Sequence, residues 1–176
     1  MSRVTIAAYD PAWPRLYEEE AAQLRSVFQS RLKELHHIGS TAVPGSDAKP
    51  VIDIMAVFTS IDDSDASEEL LRAVGYSRCT STSSPGRLFF RKRTPAAFHL
   101  HIFPEGSKDI IRHLALRDYL RAHPARRKAY AGLKKSLAWE YPFNMSAYAE
   151  GKHDYVKELE CRALRWYRSP ASKRRG

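Results

Sequence analysis

One carboxylate interrupts an otherwise apolar run of the sequence. Asp53 lies in the heptapeptide VIDIMAV, residues 51–57, which has the composition of a buried strand. A charged carboxylate inside such a strand is costly unless it is paired or binds a metal ion. Asp53 therefore has one of two roles. It is a structural residue that pairs with a backbone group or with an arginine, or it is a metal ligand and catalytic residue.

Two histidines with strand spacing form a second candidate. His99 and His101 flank Leu100 in the segment FHLHI, residues 98–102. Because side chains alternate along a strand, both imidazoles are predicted on one face. This spacing suits two ligands of a divalent metal, or a base with an orienting group, and it also fits two polar residues on a solvated face. The predicted catalytic and metal-binding residues are Asp53, His99 and His101.

A turn of small residues follows the predicted strand 35–38. The segment GST, residues 39–41, offers backbone N–H groups and two hydroxyls, which can cradle a phosphate, although a plain turn would look the same. Lys49 precedes a proline, so its backbone is predicted to be extended, with its side chain directed towards the same space. The predicted phosphate-binding residues of this part are Gly39, Ser40, Thr41 and Lys49.

Basic residues recur at helical spacing in the second half of the chain. Arg117 and Arg121 lie four residues apart, and Lys134 and Lys152 each follow a tyrosine at the same spacing. Residues four apart share a helix face, so these stripes are either solvated surfaces or one wall of an anion site. The predicted anion-binding residues of this half are Arg117, Arg121, Lys134 and Lys152.

The elements that would position these residues follow from periodicity and turn signals. The strand carrying Asp53 is nearly all apolar, so it is predicted to be central and covered on both faces. A mixed α/β half over residues 1–106 precedes a helical half over 107–168, and residues 169–176 are predicted to be a basic disordered tail. Strands are predicted at 4–8, 35–38, 50–58, 76–79, 87–93 and 97–103, and helices at 14–33, 62–74, 108–123, 124–139 and 144–168.

Size and composition narrow the functional classes. The 176 residues suit one domain, and the net charge of +9 favours anionic partners such as nucleotides, phosphorylated metabolites or nucleic acid. Nucleic acid is the least favoured of these, because no nucleic-acid motif occurs. The two cysteines form no disulfide framework or zinc motif. No signal peptide or membrane-spanning stretch is recognised, so we expect a cytoplasmic protein that does not act at a membrane.

Several motifs together indicate a family. The segments YDPAWP, HIGSTAVPG, AKPVIDI, FHLHIFPEGS, LRDYLRAHP and YAGLKKSLA occur in this order between Val4 and Trp166, and the sequence resembles the GrpB family. That family belongs to the nucleotidyltransferase-fold superfamily and is also found fused behind bacterial dephospho-CoA kinase. The resemblance implies an α+β fold, a nucleotidyltransferase-like mixed β-sheet with flanking helices followed by a C-terminal helical part. It also implies that Gly39 and Ser40 contact nucleotide phosphates and that Asp53 is the first carboxylate for a divalent metal.

One position departs from the superfamily pattern. Where a second carboxylate is expected, two residues after Asp53, the sequence has Met55, and the strand for a third acid carries the two histidines. One carboxylate with two imidazoles suits Mn²⁺ or Zn²⁺ better than Mg²⁺. Three functions stay open: transfer of a nucleotidyl group from a nucleoside triphosphate to a small acceptor, a different phosphate-ester chemistry, or a non-catalytic module that binds nucleotides or CoA precursors.

Overall fold

The first long element is a helix that packs one face against the sheet. In the computed structural model, which describes residues 3–60, 68–80 and 86–173, helix α1 spans Trp13–Phe28 and has proline in its first turn. Its buried apolar residues recur every three or four positions, as an amphipathic helix requires. They are Trp13, Tyr17, Ala21, Leu24 and Phe28.

Helix α1 ends earlier than the sequence predicted. Gln29 adopts a positive φ of 51°, and a short 3₁₀ turn at Gln29–Arg31 leads directly into the first strand. A non-glycine residue with positive φ cannot continue a right-handed helix. The predicted helical residues 29–33 are therefore a turn followed by the start of a strand.

Five strands form one mixed sheet. Their bounds are Leu32–Ile38 for β1, Ile52–Phe58 for β2, Ser77–Arg78 for β3, Leu88–Lys92 for β4 and Phe98–Pro104 for β5. They lie in the order β1-β2-β5-β4-β3, in which β2 and β5 are parallel neighbours and the other neighbouring pairs are antiparallel. The parallel pairing puts the strand of Asp53 directly beside the strand of the two histidines.

Helices cover the sheet and form most of the second half of the chain. The predicted single helix 144–168 is divided into two helices at Lys152. This residue is the C-cap of the first helix and the N-cap of the second. No helix of the described residues is long and apolar enough to cross a membrane. The bounds are Glu68–Ala73 for α2, Lys108–Ala122 for α3, Pro124–Glu140 for α4, Met145–Gly151 for α5, His153–Tyr167 for α6 and Pro170–Lys173 for α7.

The two faces of the sheet pack differently. The face towards α1 carries the largest apolar cluster, to which β2 contributes Ile52, Ile54, Ala56 and Phe58. The opposite face is covered at one end only, where Met55 and its neighbours pack against α3. This coverage leaves the start of β2 on that face open, and Asp53 lies there.

A buried ion pair fixes α1 to the sheet on the closed side. The Nζ of Lys92 on β4 lies 2.9 Å from both carboxylate oxygens of Glu20, and it also donates to Gln23. Glu20 and Lys92 are 6% and 8% exposed, so each charge depends on the other for its compensation.

Two further predicted elements need correction, and parts of others lie outside the described residues. The segment 4–8 is not a strand, because it makes a single bridge between Ala7 and Ala48 and otherwise packs against the helical half. The predicted tail contains the short helix α7, in which Ser172 Oγ donates to Tyr167 O at 2.9 Å. The first residues of the predicted helix 62–74, the loop residues 81–85 and residues 174–176 are outside the described chain.

Candidate functional site

Strand pairing brings the three predicted catalytic residues together. Asp53 on β2 is paired with His99 on β5, and His101 is paired one step further along with Met55. His99 Nδ1 and His101 Nε2 each lie 3.3 Å from the same oxygen, Asp53 Oδ1. Both distances are at the long end of the hydrogen-bond range. The site therefore has a carboxylate held from one side by two imidazoles.

The turn that was predicted to bind phosphate, residues 39–41, contacts the other side of the same carboxylate. Gly39 has φ +73° and ψ −172°, a conformation that is essentially restricted to glycine. A Cβ atom placed on Gly39 would lie 2.6 Å from Asp53 Oδ2. Glycine is thus required here both by the backbone conformation and by the close approach of the turn to Asp53.

The carboxyl group of Asp53 is ionised at neutral pH. Burial alone would raise its pKa, but hydrogen bonds and charge from His101 and His99 outweigh burial and hold the pKa well below its usual range. An ionised carboxylate only accepts hydrogen bonds, so a proton lies on Nδ1, the His99 nitrogen that faces it, and the neutral tautomer that fits this contact has its lone pair on Nε2. A histidine oriented in this way can act as a general base.

His101 differs from His99 in what its second nitrogen meets. Its Nε2 points to Asp53, and its Nδ1 is buried without a hydrogen-bond partner among the described residues. The side chain is 14% exposed, against 26% for His99. His99 is therefore the more accessible imidazole, whereas His101 is enclosed beside the carboxylate.

Asp53 and His99 open into a cavity of about 260 Å³ between the sheet and the helical half. Lysines dominate its charge, and Asp53 is the single carboxylate among the described residues that line it. Such a cavity favours an anionic ligand. The polar lining consists of Ser40, Thr41, Lys49, Asp53, His99, Tyr130, Lys134, Tyr148 and Lys152.

Lys134 connects the helical half to the turn at residues 39–41. Its Nζ donates to Ser40 Oγ at 2.9 Å and to Asp47 O at 2.6 Å, and it lies 4.7 Å from the centre of the Tyr130 ring. Lys134 is 3% exposed, and burial together with the positive charge of Lys152 lowers its pKa to about 8. The charge of such a lysine, and with it any attraction for an anion, changes with pH close to the physiological range.

Lys49 and Lys152 both line the cavity. Burial lowers the pKa of both, and the charge of Asp53 partly opposes this change in each. Lys152 sits at the junction of α5 and α6, with its Nζ 4.9 Å from the centre of the Tyr148 ring. Both predicted phosphate ligands are therefore positioned at the cavity.

Thr41 lines the cavity, but its hydroxyl is already used within the protein. It donates to Val51 O at 3.2 Å and lies 3.0 Å from His37 Nε2. His37 is buried and stacked on Tyr17, and desolvation lowers its pKa to about 4, so it is neutral. Thr41 thus ties the turn to the strand behind it.

The structure places Arg117 and Arg121 away from Asp53. Arg117 Nη1 donates to His37 O at 3.2 Å, and Arg121 donates to Ala42 O through Nε and Nη2 at 2.9 and 2.7 Å. Both line a different cavity of about 270 Å³ behind the turn. Their contacts satisfy a carbonyl of β1 and a carbonyl of the following turn, so they brace residues 39–42 from behind instead of entering the lysine-lined cavity.

The donors present offer limited ligation for the predicted divalent metal. Within the described residues, no group of three His, Cys, Asp or Glu side chains is arranged to hold an ion. Met55, at the position of the missing second acid, is fully buried against Ile38 and Phe103. The protein ligand that fits a hard cation is Asp53, and Mg²⁺ commonly combines one or two carboxylates with substrate phosphates.

Two aromatic residues of the site were not predicted as ligands. Tyr130 and Tyr148 line the cavity beneath Lys134 and Lys152. Each tyrosine precedes its lysine by four residues, which is visible in the sequence. At this spacing on a helix, the ammonium group can lie over the aromatic ring. What the sequence does not reveal is that both helices turn these faces to the same cavity.

Comparison with known proteins agrees with the motif pattern. The family described as GrpB protein matches residues 3–162. UPF0157 protein YqkA of Bacillus subtilis is 38% identical over 165 residues, which are 93% of this chain and 48% of YqkA, so the chain spans about half of that relative. Glutamate-rich protein GrpB of Alkalihalophilus pseudofirmus is 31% identical, over 89% of this chain and 93% of its own length. A dephospho-CoA kinase of Mycolicibacterium paratuberculosis is 26% identical and is covered to 46%.

Solved structures extend the comparison to the fold. The conserved protein GrpB from Enterococcus faecalis superimposes with a TM-score of 0.88 at 34% identity, covering 94% of this chain and all of that one. Terminal uridylyl transferase 4 from Trypanosoma brucei, solved with dUTP, gives a TM-score of 0.56 at 11% identity, covering 94% of this chain and 58% of its own. The fold is thus nucleotidyltransferase-like, and the chain belongs to the GrpB family.

Proposed function

We propose that this protein is a nucleotidyltransferase, which transfers a nucleotidyl group from a nucleoside triphosphate to a small acceptor in a metal-dependent reaction. The observation that carries the proposal is the contact between the phosphate turn and the carboxylate. A Cβ on Gly39 would lie 2.6 Å from Asp53 Oδ2, so a phosphate held by the turn is within reach of whatever Asp53 binds.

The nucleotide phosphates are assigned to the lysine-lined cavity. Lys49, Lys134 and Lys152 surround it, and Lys134 also fixes the hydroxyl of Ser40. Cations that are fixed in place before the substrate arrives stabilise the negative charge of a transferring phosphoryl group without reorganisation. The uridylyl transferase with bound dUTP shares the fold alone, and its ligand makes a nucleotide the first compound class to test.

The transfer assigns a task to His99. The acceptor oxygen forms a bond to the α-phosphorus, and the bond from that phosphorus to the bridging oxygen breaks. Pyrophosphate leaves with the electron pair, and the acceptor proton passes to His99 Nε2. Asp53 orients this imidazole through Nδ1 at 3.3 Å.

A divalent cation would be held by Asp53 together with phosphate oxygens of the nucleotide, and it would supply charge neutralisation and alignment of the phosphates. His101 is then assigned to holding Asp53, while His99 contacts Asp53 and also receives the acceptor proton. The buried Met55 explains why this chain offers a single carboxylate for the task.

A second candidate function is a binding module without catalysis. It is favoured by Met55, because phosphoryl transfer in this fold is expected to use more than one metal-binding acid. Relatives that include dephospho-CoA kinases, of which this chain covers 46%, make CoA precursors the alternative ligands. In this case Asp53 and His99 would recognise a ligand without activating it.

The test measures thermal shifts of the wild type and Asp53→Ala with the four nucleoside triphosphates, dephospho-CoA and phosphopantetheine. Each ligand is combined with Mg²⁺, Mn²⁺, Zn²⁺ or a chelator. A ligand at 100 times its dissociation constant adds about 2.7 kcal/mol to stability, which is readily seen. We expect a metal-dependent shift with a triphosphate that Asp53→Ala loses while still folding. A shift with CoA precursors alone, without metal, supports the binding module, and no shift with any compound contradicts both.

A further inference from the structure

A row of side chains on the open face of the sheet extends beyond the cavity. Strand register pairs Asp53 on β2 with His99 on β5, and His99 with Arg91 on β4. Directly paired residues project from the same face, so Arg91 flanks His99 on the side away from Asp53. Strand spacing of about 4.8 Å places the backbone of Arg91 roughly 10 Å from that of Asp53.

Arg91 lacks an anionic partner within the described chain. Its Cζ lies 5.0 Å from the centre of the Phe89 ring, and none of the described carboxylates is within ion-pair distance of it. Its Nε is buried and has no hydrogen-bond acceptor there. A guanidinium has five donors in a rigid fork, and a buried donor without an acceptor costs free energy. The contacts with Phe89 therefore fix the fork but leave its buried Nε without an acceptor.

Positive charge accumulates around this position. Burial lowers the pKa of Lys49, and the charges of Arg91 and Arg93 lower it further, whereas Asp53 opposes them. Like charges held together in this way are unfavourable unless an anion joins them, and such local conflicts are typical of functional sites.

The two oxygens of Asp53 divide the site into two sides. Oδ2 faces the Gly39 turn and Oδ1 faces the imidazoles. A nucleotide placed on the turn and the lysines leaves the side of His99 and Arg91 for a second ligand. The geometry points to a second anion-binding position at Arg91, which binds the acceptor through a phosphate monoester or a carboxylate.

This assignment rests on the proposed function, because it names the chemical class of the acceptor. A phosphate monoester and a carboxylate each offer two oxygens to a planar guanidinium, which is the arrangement that arginine binds most strongly. An acceptor held by Arg91 presents its hydroxyl beside the adjacent His99, the residue assigned to receive the proton.

The experiment is isothermal titration of the protein with three matched probes, glycerol 3-phosphate, glycerate and neutral glycerol, in the absence and presence of ATP and Mg²⁺. The variants are Arg91→Ala, Arg91→Lys and the control Arg126→Ala, which removes an equal charge from an exposed position on α4. We expect one of the two anions to bind and glycerol not to bind. Loss of a bidentate ionic contact should weaken that binding at least about tenfold in Arg91→Ala and less in Arg91→Lys.

Arg126→Ala should bind as the wild type does. The inference is overturned if neither anion binds the wild type at concentrations up to about 10 mM. Even a weak specific site would show binding within this range. It is also overturned if Arg91→Ala and the control bind equally. Should Arg91→Ala not fold, Arg91→Gln replaces it. ATP binding is recorded separately in each variant, so failure of the nucleotide site and failure of the Arg91 position give different results.

Discussion

Gly39 and Asp53 are in contact across the turn that follows β1, and the contact leaves no room for a side chain on Gly39. A Cβ there would meet Asp53 Oδ2 at 2.6 Å and Asp53 Cβ at 3.2 Å. The backbone conformation of the turn and the orientation of the carboxylate are therefore coupled, so a change at either residue is expected to disturb the other.

Gly39→Ala should lose ligand binding and some stability. Alanine at a positive φ costs about 1–3 kcal/mol, and the added methyl group must also displace Asp53. Gly106→Ala is the matched control, because Gly106 has φ +81° and a Cβ on it would have no neighbouring atom within 4 Å. Urea denaturation should show a loss in both variants, while nucleotide binding disappears in Gly39→Ala alone. Equal binding by the two variants would mean that the contact with Asp53 has no functional part.

Met55→Glu should not restore a second metal-binding acid. Met55 is fully buried in a cluster with Ile38 and Phe103, and a carboxylate there would lack a partner. We expect a loss of at least about 3 kcal/mol in the free energy of unfolding. Met55→Leu, which preserves volume, should cost less than about 1.5 kcal/mol. A Met55→Glu variant that is as stable as the wild type and gains Mn²⁺ affinity would contradict this view of the position.

Anion binding should weaken as the pH rises above neutrality. The pKa of Lys134 is about 8, so between pH 7 and 9 most of its positive charge in the free protein is lost. Affinity for a nucleoside triphosphate should therefore fall roughly tenfold over this range. Isothermal titration of Lys134→Arg, which stays charged, should show a flatter profile, and the exposed control Lys128→Ala should follow the wild type. A wild-type profile that is flat from pH 7 to 9 would exclude Lys134 as the titrating ligand.

Acidification should destabilise the protein through His37. Its pKa is about 4 in the folded state and 6.5 in the reference state, so the unfolded chain binds the additional proton. The contribution of neutral His37 to the free energy of unfolding is fully present above about pH 6.5. It is lost as the pH falls towards 4, and the loss is about 2 kcal/mol at pH 5. Urea denaturation at pH 7 and pH 5 should show this loss in the wild type and a smaller loss in His37→Gln. Identical losses in both proteins would assign the acid sensitivity to other groups.

Local periodicity was sufficient to place the central residues of the site. The apolar run around Asp53 and the alternation of His99 and His101 are properties of single strands, so the sequence predicted the faces they occupy. That the two strands are parallel neighbours is a long-range property. The distance of 3.3 Å from each imidazole to Asp53 Oδ1 follows from that pairing and could not be read from spacing alone.

Helical spacing was less informative about which surfaces meet. It correctly grouped Arg117 with Arg121, but it could not tell that, besides Asp118, they contact the carbonyl groups of His37 and Ala42. Arg91 was missed for a related reason, since its place beside His99 depends on the register between β4 and β5. In each case the deciding contact joins residues that are distant in the chain, where pattern recognition carries little weight.

The row formed by Asp53, His99 and Arg91 also bears on how the chain reaches its functional state. Its members come from three strands. Pairing the parallel strands β2 and β5 closes a loop of about 50 residues. Contacts of such long sequence separation form slowly, after helices and hairpins. Competence to bind ligand should thus arise in the last kinetic phase of refolding, and no helical fragment or early intermediate would possess it.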